Sequence, residues 1–437
     1  MGRIIVFMAV IASFVYVGRA QDITPTPSPD DTPDAMVLAS EGGYDITNYL
    51  LLGSDTPNPN NSGRTDVMVV VSVNHTQQTA SLLSIPRDLY VYVPGHMMTR
   101  INTTYAYGEQ ATDGGGYTLL RETIAYNLGL TVDYYARVNF SSFREIIDSL
   151  GGIDVSVDCG IQDWRLKSPE LDPQVEDNWE LFTLPIGVHE LDGNLALWYA
   201  RSRRTSSDFD RGRRHQVILR AVLARVRSLG LLEQMTELYP QVMEIVETDI
   251  PPQEIARLIP LATSLTSSQI ASYTFTPNVD VRSWRAPDGA SVQAPVRDAI
   301  GRLMQLFLTP PTEFQLRREQ PRIEIVNASG FDDLGVVAAE RLAWEGFAVT
   351  LADETLRYQN RTTIIDYTGH SKGSSLALIQ DVMRVPTDDV SVTPDPERRV
   401  DFRITLGGTY HACTYNVIPP EPPIAEALPE PTATPGA

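Results

Sequence analysis

The chain has 437 residues, of which 42% are hydrophobic, and carries a formal net charge of −20 at pH 7. This length and composition allow a sizeable buried core and predict two domains. An acidic protein with an isoelectric point near 4.7 and no long basic stripe lacks the electrostatic footprint of a nucleic-acid-binding protein, so that class is excluded.

The N-terminal segment is predicted to direct export. Arg3 precedes an apolar run over 4–18, which is shorter than the roughly 20 residues of a membrane-spanning helix. Residues 1–20 are therefore interpreted as a signal peptide cleaved after Ala20 or as a retained signal-anchor. Either alternative places the bulk of the chain outside the cytoplasm, in the cell envelope, secreted or anchored by this segment. Residues 21–40 are rich in proline and acid and predict an extended linker.

Residues 41–309 alternate between strand and helix patterns, which predicts an α/β domain with a central mixed β-sheet flanked by helices. A tryptophan-rich, acidic insertion over 162–180 interrupts the pattern. A mainly helical region follows it over 193–308, with one strand-like stretch near 270–275. The earlier predicted elements are strands over 48–53, 67–73 and 79–85, a helix over 117–128, a strand over 134–140, a helix over 143–150 and a strand over 153–157.

A second, smaller α/β domain is predicted over 322–408, after a proline-marked linker over 310–321. Residues 409–437 are proline-rich and predict a disordered tail. The predicted elements of the second domain are strands over 323–326, 347–351, 362–367 and 400–406 and helices over 335–345 and 374–383. Cys159 and Cys413 are the only cysteines, and the sequence is compatible with a disulfide or with two buried thiols.

Arginines are concentrated in one short stretch of this acidic chain. Six of them fall between residues 201 and 214, and with Asp208 and Asp210 subtracted the local charge is about +4. The planar guanidinium fork binds phosphate oxygens bidentately, so a compact phosphate is the predicted ligand, with a solvated basic helix face as the alternative. The six are Arg201, Arg203, Arg204, Arg211, Arg213 and Arg214.

Carboxylates and further arginines stand at the ends of the predicted strands, where α/β sheets bind ligands. Asp55 and Asp66 are predicted to hold Mg²⁺, which prefers one or two carboxylates together with phosphate oxygens. The arginines predicted to clamp the remaining oxygens are Arg64, Arg87, Arg201, Arg203 and Arg211. Each residue alone also fits an ordinary role, such as a turn former at Asp55 or a surface ion pair between Arg87 and Asp88.

Five segments in a fixed order closely resemble the LytR-CpsA-Psr family over residues 45–225: RTDVMVVVSVN, SLLSIPRDLYV, RINTTYAYG, DYYARVNFSSFREIIDSLGGIDVSV and LDGNLALWYARSR followed by DFDRGRRHQ. Residues 322–406 look like the small C-terminal domain of many members. The resemblance implies an envelope phosphotransferase at the outer face of the membrane. Such an enzyme binds a polyprenyl pyrophosphate-linked glycan and transfers the glycan phosphate to a peptidoglycan hydroxyl, which releases polyprenyl phosphate.

The resemblance also assigns residues by position. It places the metal-site aspartates at Asp55 and Asp66, and the phosphate-binding arginines at the five positions named above and at Arg100. The family usually has arginine followed by glutamine in the last motif, whereas this chain has Arg214-His215-Gln216. The glutamine contact to phosphate is therefore lost, replaced by His215, or supplied by Gln216.

The predicted mechanism is electrostatic. Mg²⁺ and the arginines stabilise the charge that develops when a hydroxyl attacks a pyrophosphate. The acceptor proton goes to Asp66 or to Asp88 beside Arg87, and the sequence does not choose between them. The polyprenyl tail requires an apolar slot. Residues over 67–73, 143–150 and 217–226 could line such a slot, or they could be ordinary core.

Three rival functions remain open from the sequence. The chain could bind polyprenyl phosphates or glycans without catalysis, or it could be a pyrophosphatase that uses water as the nucleophile. A G-x-S-x-G match at residues 369–373 suggests a serine hydrolase with Ser371 as nucleophile and His411 and Asp395 or Asp401 as partners. The predicted domain is too small for a hydrolase sheet, so a plain strand-to-helix loop is the preferred interpretation of that match.

Overall fold

The computed structural model describes residues 32–55, 64–112, 114–266, 269–310, 321–354, 357–370 and 375–413. The signal segment over 1–20, most of the linker over 310–321, and most of the tail over 409–437 lie outside the described residues. None of the helices within these described ranges is both long and apolar enough to cross a membrane.

A six-stranded mixed sheet forms the centre of the first part of the chain, in the order β11-β6-β1-β2-β3-β12. Its neighbours β1–β6 and β3–β12 are parallel, and the other pairs are antiparallel. The strands up to residue 295 are β1 (Ile46–Ser54), β2 (Thr65–Asn74), β3 (Thr79–Ser84), β4 (Tyr90–Tyr92), β5 (Met98–Arg100), β6 (Tyr134–Asn139), β7 (Ile153–Val157), β8 (Ile161–Leu166), β9 (Trp179–Leu184), β10 (Gly187–Leu191), β11 (Glu247–Thr248), β12 (Ile270–Thr274), β13 (Val281–Arg285) and β14 (Ser291–Pro295).

Helices cover both faces of this sheet. On β2, Met68 and Val70 pack into one apolar cluster, whereas Val69 and Val73 pack into another, because successive strand side chains point to opposite faces. The predicted mixed sheet flanked by helices is thus confirmed. The helices are α1 (Thr104–Ala111), α2 (Gly115–Leu128), α3 (Phe140–Ser149), α4 (Gly193–Arg201), α5 (Asp208–Ser228), α6 (Met235–Ile245), α7 (Pro252–Ser264) and α8 (Arg297–Leu308).

Local patterns located the early elements well and the later ones less well. Every element predicted between residues 48 and 157 is present, with ends displaced by at most three residues. The insertion over 162–180 contains most of a β8–β9 ribbon, and the region predicted as mainly helical also contains the β13–β14 hairpin. Both are two-stranded, and their pairing depends on contacts with the rest of the fold rather than on local pattern.

The C-terminal part of the predicted extended linker over 21–40 is attached to the fold. The Met36 backbone N–H donates to Tyr126 O and the Ala39 N–H donates to Gly129 O, both at 2.8 Å. Both side chains also pack against the main apolar cluster. The two hydrogen bonds satisfy backbone groups at the C-terminal end of α2, where helix carbonyls otherwise have no partner.

A second sheet of five strands, in the order β16-β15-β19-β17-β18, follows residue 321. It has its own apolar core, which includes Ile325, Val337, Phe347 and Phe402. A small α/β unit of the predicted kind is therefore present, and the exact domain limits stay a prediction. Its elements are β15 (Arg322–Asn327), α9 (Leu334–Trp344), β16 (Ala348–Leu351), β17 (Thr363–Asp366), α10 (Leu376–Met383), β18 (Val390–Val392) and β19 (Phe402–Leu406).

A disulfide and two ion pairs connect the second unit to the first. Cys159 and Cys413 form a disulfide across 254 residues of sequence, which selects one of the two alternatives that the sequence left open. Next to it, the Asp158 carboxylate pairs with Arg213 of α5 and with Arg341 of α9. One face of α5 is thus held against the second unit.

Candidate active site

A cavity of about 260 Å³ opens between the central sheet and the helices α3, α4 and α5. One part of its wall is apolar, and the other part carries arginine, aspartate and histidine side chains. The apolar and small lining residues are Leu51, Leu52, Gly53, Val67, Val69, Val138, Phe140, Phe143, Leu197, Ala200, Ile218 and Leu219. The polar lining residues are Asp66, Arg87, Asn139, Arg201, Arg203, Arg211 and His215.

A β-bulge brings Asp66 to this cavity. In the β1–β2 ladder Gly53 pairs with Val67, but Ser54 pairs with Thr65, so Asp66 is the extra residue of the bulge. Strict alternation would turn Asp66 away from the face that carries Val67, whereas the bulge lets both side chains line the cavity. Bulges of this kind re-aim a side chain beside a binding site, and the sequence pattern alone does not show them.

Helix α5 presents one face to the cavity. Arg211, His215, Ile218 and Leu219 follow the spacing i, i+4, i+7 and i+8, which places them on one side of a helix. The helix lies close to the sheet at Gly212, where a Cβ atom would approach Ser84 Cβ to 3.0 Å. The charged end of this face therefore comes early in α5, and the apolar end follows two turns later.

Asp208 organises the arginine cluster. Its Oδ1 atom lies 2.6 Å from Arg211, 3.6 Å from Arg203 and 3.8 Å from Arg87. Arg87 also donates to Asp66 Oδ1 at 2.8 Å. Asp88 also lies 3.5 Å from Arg87, so these three guanidinium groups face three carboxylates. The fourth arginine of the cavity wall, Arg201, adds a surplus of positive charge that favours a multivalent anion. Asp208 was not among the predicted site residues, although its place inside the arginine run was the available signal.

The electrostatics of Arg211 indicate where an anion is most needed. Burial lowers the pKa of Arg211 below its ordinary value, and the charges of Arg87 and Arg203 lower it further, although Asp208 opposes them. Burial alone would also lower the pKa of Arg87, but there the carboxylates of Asp66, Asp88 and Asp208 raise it. Burial therefore disfavours the charge of Arg211 despite its contact with Asp208, and a bound phosphate would stabilise that charge.

Arg201 joins the charged and apolar parts of the cavity. It is the last residue of α4, and its guanidinium lies over the Phe140 ring at 4.4 Å from the centroid. This cation–π contact orients the guanidinium while leaving its N–H groups available to an anion. Phe140 begins α3, where the Asn139 side chain caps the helix, and neither residue was predicted as part of the site.

Comparison with known proteins is consistent with the arrangement of these motifs. The model of the LytR_cpsA_psr family matches residues 23–305. The chain belongs to this family. It is 31% identical to the polyisoprenyl-teichoic acid–peptidoglycan teichoic acid transferase TagT of Bacillus subtilis, over 54% of this chain and 70% of that protein. It is 29% identical to the transferase TagU of Oceanobacillus iheyensis, over 59% and 78% respectively. The solved structure of TagV of B. subtilis covers 60% of this chain and 96% of its own, with 26% identity and a TM-score of 0.49.

Within this family member, four of the predicted site residues stand beside the cavity rather than in its wall. Asp55 follows the last residue of β1, and Arg64 precedes the first residue of β2, so both stand at the strand ends nearest Asp66. Asp88 lies 3.5 Å from Arg87 and 3.6 Å from Arg100. Of the two predicted proton acceptors, Asp66 is thus the one that lines the cavity.

Two further predicted phosphate ligands are buried elsewhere. Arg214 donates to the backbone carbonyls of Tyr199 and Ser202 and to Ser206 Oγ, so it braces the connection between α4 and α5. The Gln216 amide is fully buried and donates to Ser84 Oγ and Tyr273 O. At 100° per residue Gln216 lies about 140° around the helix from Arg211, so the idea that Gln216 supplies the phosphate contact does not fit the structure. Arg214, at i+3, is a neighbour of Arg211 on the helix, and its hydrogen bonds to Tyr199, Ser202 and Ser206 direct its guanidinium away from the cavity.

His215 occupies the position where the family usually has glutamine, and it lines the cavity. Its Nε2 atom lies 3.0 Å from Ala200 O, and since a carbonyl only accepts, Nε2 carries the proton. Burial lowers the pKa of His215 to about 3, with Arg211 contributing. The ring is therefore neutral at pH 7, its one N–H is used, and Nδ1 offers an anion no proton.

We expect His215→Gln to strengthen binding of a pyrophosphate ligand by up to about tenfold, because the glutamine amide has two N–H donors. The variant should also resist acid better. Since the folded-state pKa of His215 lies below the ordinary 6.5, the wild-type unfolded state binds the extra proton and stability falls as the pH drops from about 6.5 toward 3. Calorimetric titration and melting curves at pH 7.5 and pH 5 test both effects. A larger acid-induced loss in the glutamine variant would contradict this account.

A magnesium site is compatible with the oxygen atoms at the strand ends but is not fully formed by protein groups. No cluster of three or more His, Cys, Asp or Glu side chains suited to a metal occurs in the described part of the chain. The hydroxyls of Ser54 and Thr65 are nevertheless buried without a hydrogen-bond partner beside Asp66. Two carboxylates with phosphate oxygens from a ligand form the kind of ligand set that Mg²⁺ accepts.

The serine-hydrolase alternative gains no support. Ser371 lies outside the described residues. Burial alone would raise the pKa of the Asp401 carboxyl, but hydrogen bonds from Arg322 and Arg398 lower it to about 2. Asp401 therefore serves as an ion-pair partner within the second unit and is not free to orient a catalytic histidine.

Proposed function

We propose that the protein transfers a glycan phosphate from a polyprenyl pyrophosphate carrier to a hydroxyl of peptidoglycan during assembly of the cell wall. The observation that supports this most is the division of one cavity into an apolar part and a four-arginine part. An amphipathic ligand with a pyrophosphate head and a hydrocarbon tail fits such a cavity, whereas a water-soluble phosphate makes no use of the apolar wall. The homologous transferases TagT and TagU are named for the same type of reaction.

The reaction consists of one displacement at phosphorus. The acceptor oxygen forms a bond to the glycan-bearing phosphorus, the bridging P–O bond of the pyrophosphate breaks, and polyprenyl phosphate leaves with the bonding electrons. The acceptor hydroxyl loses its proton to Asp66, the cavity carboxylate within the cluster. Arg87, Arg203 and Arg211 bind the oxygens on which negative charge accumulates. Arg201 holds the pyrophosphate at the boundary with the apolar wall.

We further propose that Asp55 and Asp66 hold Mg²⁺ when the pyrophosphate donor is bound. Held by these two carboxylates, a divalent cation would neutralise charge on the phosphate oxygens. The buried hydroxyls of Ser54 and Thr65 support an oxygen-rich environment at this position. The protein is proposed to work in the cell envelope, delivered by the segment over 1–20, because its lipid donor and its peptidoglycan acceptor meet at the outer face of the membrane.

The decisive assay mixes a lipid-linked glycan pyrophosphate with peptidoglycan fragments, with and without a chelator, and measures released polyprenyl phosphate. Tight donor binding without release under any metal condition would leave only a non-catalytic carrier. Release at the same rate without peptidoglycan, together with free glycan phosphate, would identify a pyrophosphatase instead.

Arg201→Ala is expected to weaken donor binding and turnover together by roughly ten- to hundredfold, because a hydrogen bond to a charged group contributes about 1.5–3 kcal/mol. Arg204→Ala is the matched control, since Arg204 is in the same segment but binds Gln162 Oε1 outside the cavity. Donor affinity is measured by calorimetric titration. Equal losses in the two variants would show that the effect comes from overall charge rather than from the cavity.

A further inference from the structure

The β8–β9 ribbon carries an exposed apolar face. Trp164 lies opposite Leu181 in the antiparallel ladder, and Leu166 lies opposite Trp179. Directly opposed residues project on the same side, so these four side chains form one stripe on the ribbon. Trp164 is 52% exposed and Leu181 is 42% exposed. Large side chains exposed side by side indicate a surface for a partner.

The reverse face of the ribbon is firmly attached to the catalytic part of the chain. The Phe182 ring packs edge-on against Trp198 of α4, with 5.1 Å between centroids. The Asp163 carboxylate accepts from the backbone N–H of Arg203 at 2.8 Å, and Arg203 lines the cavity. The ribbon is therefore a fixed structure beside the charged part of the cavity, and its outer stripe is held out toward solvent.

Charge narrows the choice of occupant. Residues 162–180 contain six acidic residues and two basic ones, a local charge of about −4. Asp163 and Glu180 are paired on the reverse face, whereas Glu170, Asp172, Glu176 and Asp177 are exposed in the connection between β8 and β9. These four carboxylates would repel an anionic lipid surface or an anionic phosphate polymer at this end of the ribbon. A neutral sugar chain would not be repelled, because the C–H face of a sugar ring packs on the negative face of an indole and its hydroxyl groups donate to carboxylates.

We propose that this ribbon face, with Trp164 at its centre, is the docking surface for the acceptor glycan strand. The inference rests on the proposed function, since a transferase needs its acceptor hydroxyl beside the arginine cluster. The face that carries Trp164 continues along the ribbon to Gln162, whose Oε1 accepts from Arg204, so an N-acetylated amino-sugar strand stacked on Trp164 can run along this face toward the arginine segment that includes Arg203. Trp164 acts here as a binding residue and takes no part in the transfer step.

The first test measures binding of a soluble N-acetylglucosamine hexamer by the full chain. Trp164→Ala is expected to weaken this binding by about tenfold, corresponding to the loss of one stacking contact. Tyr358→Ala is the matched control, because Tyr358 is a 64%-exposed aromatic residue of the second unit. Circular dichroism confirms that both variants fold. Equal hexamer affinity in wild type and Trp164→Ala overturns the proposal.

The second test has two parts. Vesicle binding shows whether the ribbon face binds a membrane instead of a sugar, and the release assay shows whether loss of the docking surface affects acceptor binding rather than the reaction itself. Vesicles of phosphatidylglycerol that bind in a Trp164-dependent way, with no hexamer binding, overturn the proposal in favour of a membrane contact. In the release assay, Trp164→Ala should raise the half-saturating acceptor concentration about tenfold and leave donor affinity unchanged. An unchanged acceptor dependence overturns the docking role, while the transferase function stands. Trp164-dependent hexamer binding by a chain that releases no polyprenyl phosphate upholds the sugar site and removes the transferase function.

Discussion

Asp66→Asn is expected to lower release of polyprenyl phosphate by at least about a hundredfold, while donor affinity stays within a few-fold of wild type. A positioned general base contributes roughly 10²- to 10⁴-fold, and the contribution arises in the transition state. Asp66 is also a proposed ligand of Mg²⁺, whose stabilisation of the developing phosphate charge would be weakened by the same substitution. The amide keeps the shape of the side chain but accepts no proton at neutral pH. Arg87 retains Asp88 and Asp208 as ionic partners, so the arginine cluster should persist.

Asp88→Asn is the matched control for this prediction. Asp88 also pairs with Arg87, at 3.5 Å, but its other partner is Arg100 and it does not line the cavity. We expect its loss of rate to be at least tenfold smaller than that of Asp66→Asn. Single-turnover release with prebound donor measures both. A greater loss for Asp88→Asn would assign the proton transfer to Asp88 and contradict the present assignment.

Removing the disulfide is expected to have the largest effect on stability. Replacing Cys159 and Cys413 by serine should cost about 2–5 kcal/mol, because a cross-link over 254 residues strongly restricts the unfolded chain. The remaining contacts between the two units include the ion pairs at Asp158, the hydrogen bond from the Val188 N–H to Asp333 and the packing of Ile186 and Val188 in the second apolar core, and none of them restricts the unfolded chain as a covalent cross-link does. Calorimetry should therefore show the second unit melting at a lower temperature than the first.

The chain supplies its own control for this experiment. Cys159 and Cys413 are its only cysteines, so melting of the double-serine variant should not respond to a reductant, whereas wild type should shift toward the variant when reduced. A variant that melts like oxidised wild type would show that packing and the Asp158 ion pairs suffice. Donor affinity is worth measuring in parallel, because the face of α5 opposite Arg211 carries Arg213, which lies 5.3 Å from the Trp344 ring.

Local sequence determined most strands of the central sheet, the helices α2 and α3 and the phosphate chemistry, whereas α1 and the edge strand β11 were not predicted. The apolar, β-branched run of β2 predicts a buried strand without knowledge of the neighbouring strands, because a strand that is buried on both faces needs apolar residues at nearly every position. The arginine run likewise indicates an anion, since so many guanidinium groups in an acidic chain require a negative partner. The order of these motifs along the chain was sufficient to predict the family.

Tertiary structure decided which of the candidate residues share a cavity. The bulge at Asp66 depends on how β1 and β2 pair, and no local propensity encodes it. Helical periodicity shows that His215 shares a face with Arg211 and that Gln216 does not. It also places Arg214 beside Arg211, and only the tertiary hydrogen bonds of Arg214 show that its guanidinium does not line the cavity. Only the packing of α5 against β3 shows which face meets the ligand. The disulfide is likewise a feature that only the tertiary structure decides, because a bond between residues 254 positions apart depends on the assembled fold.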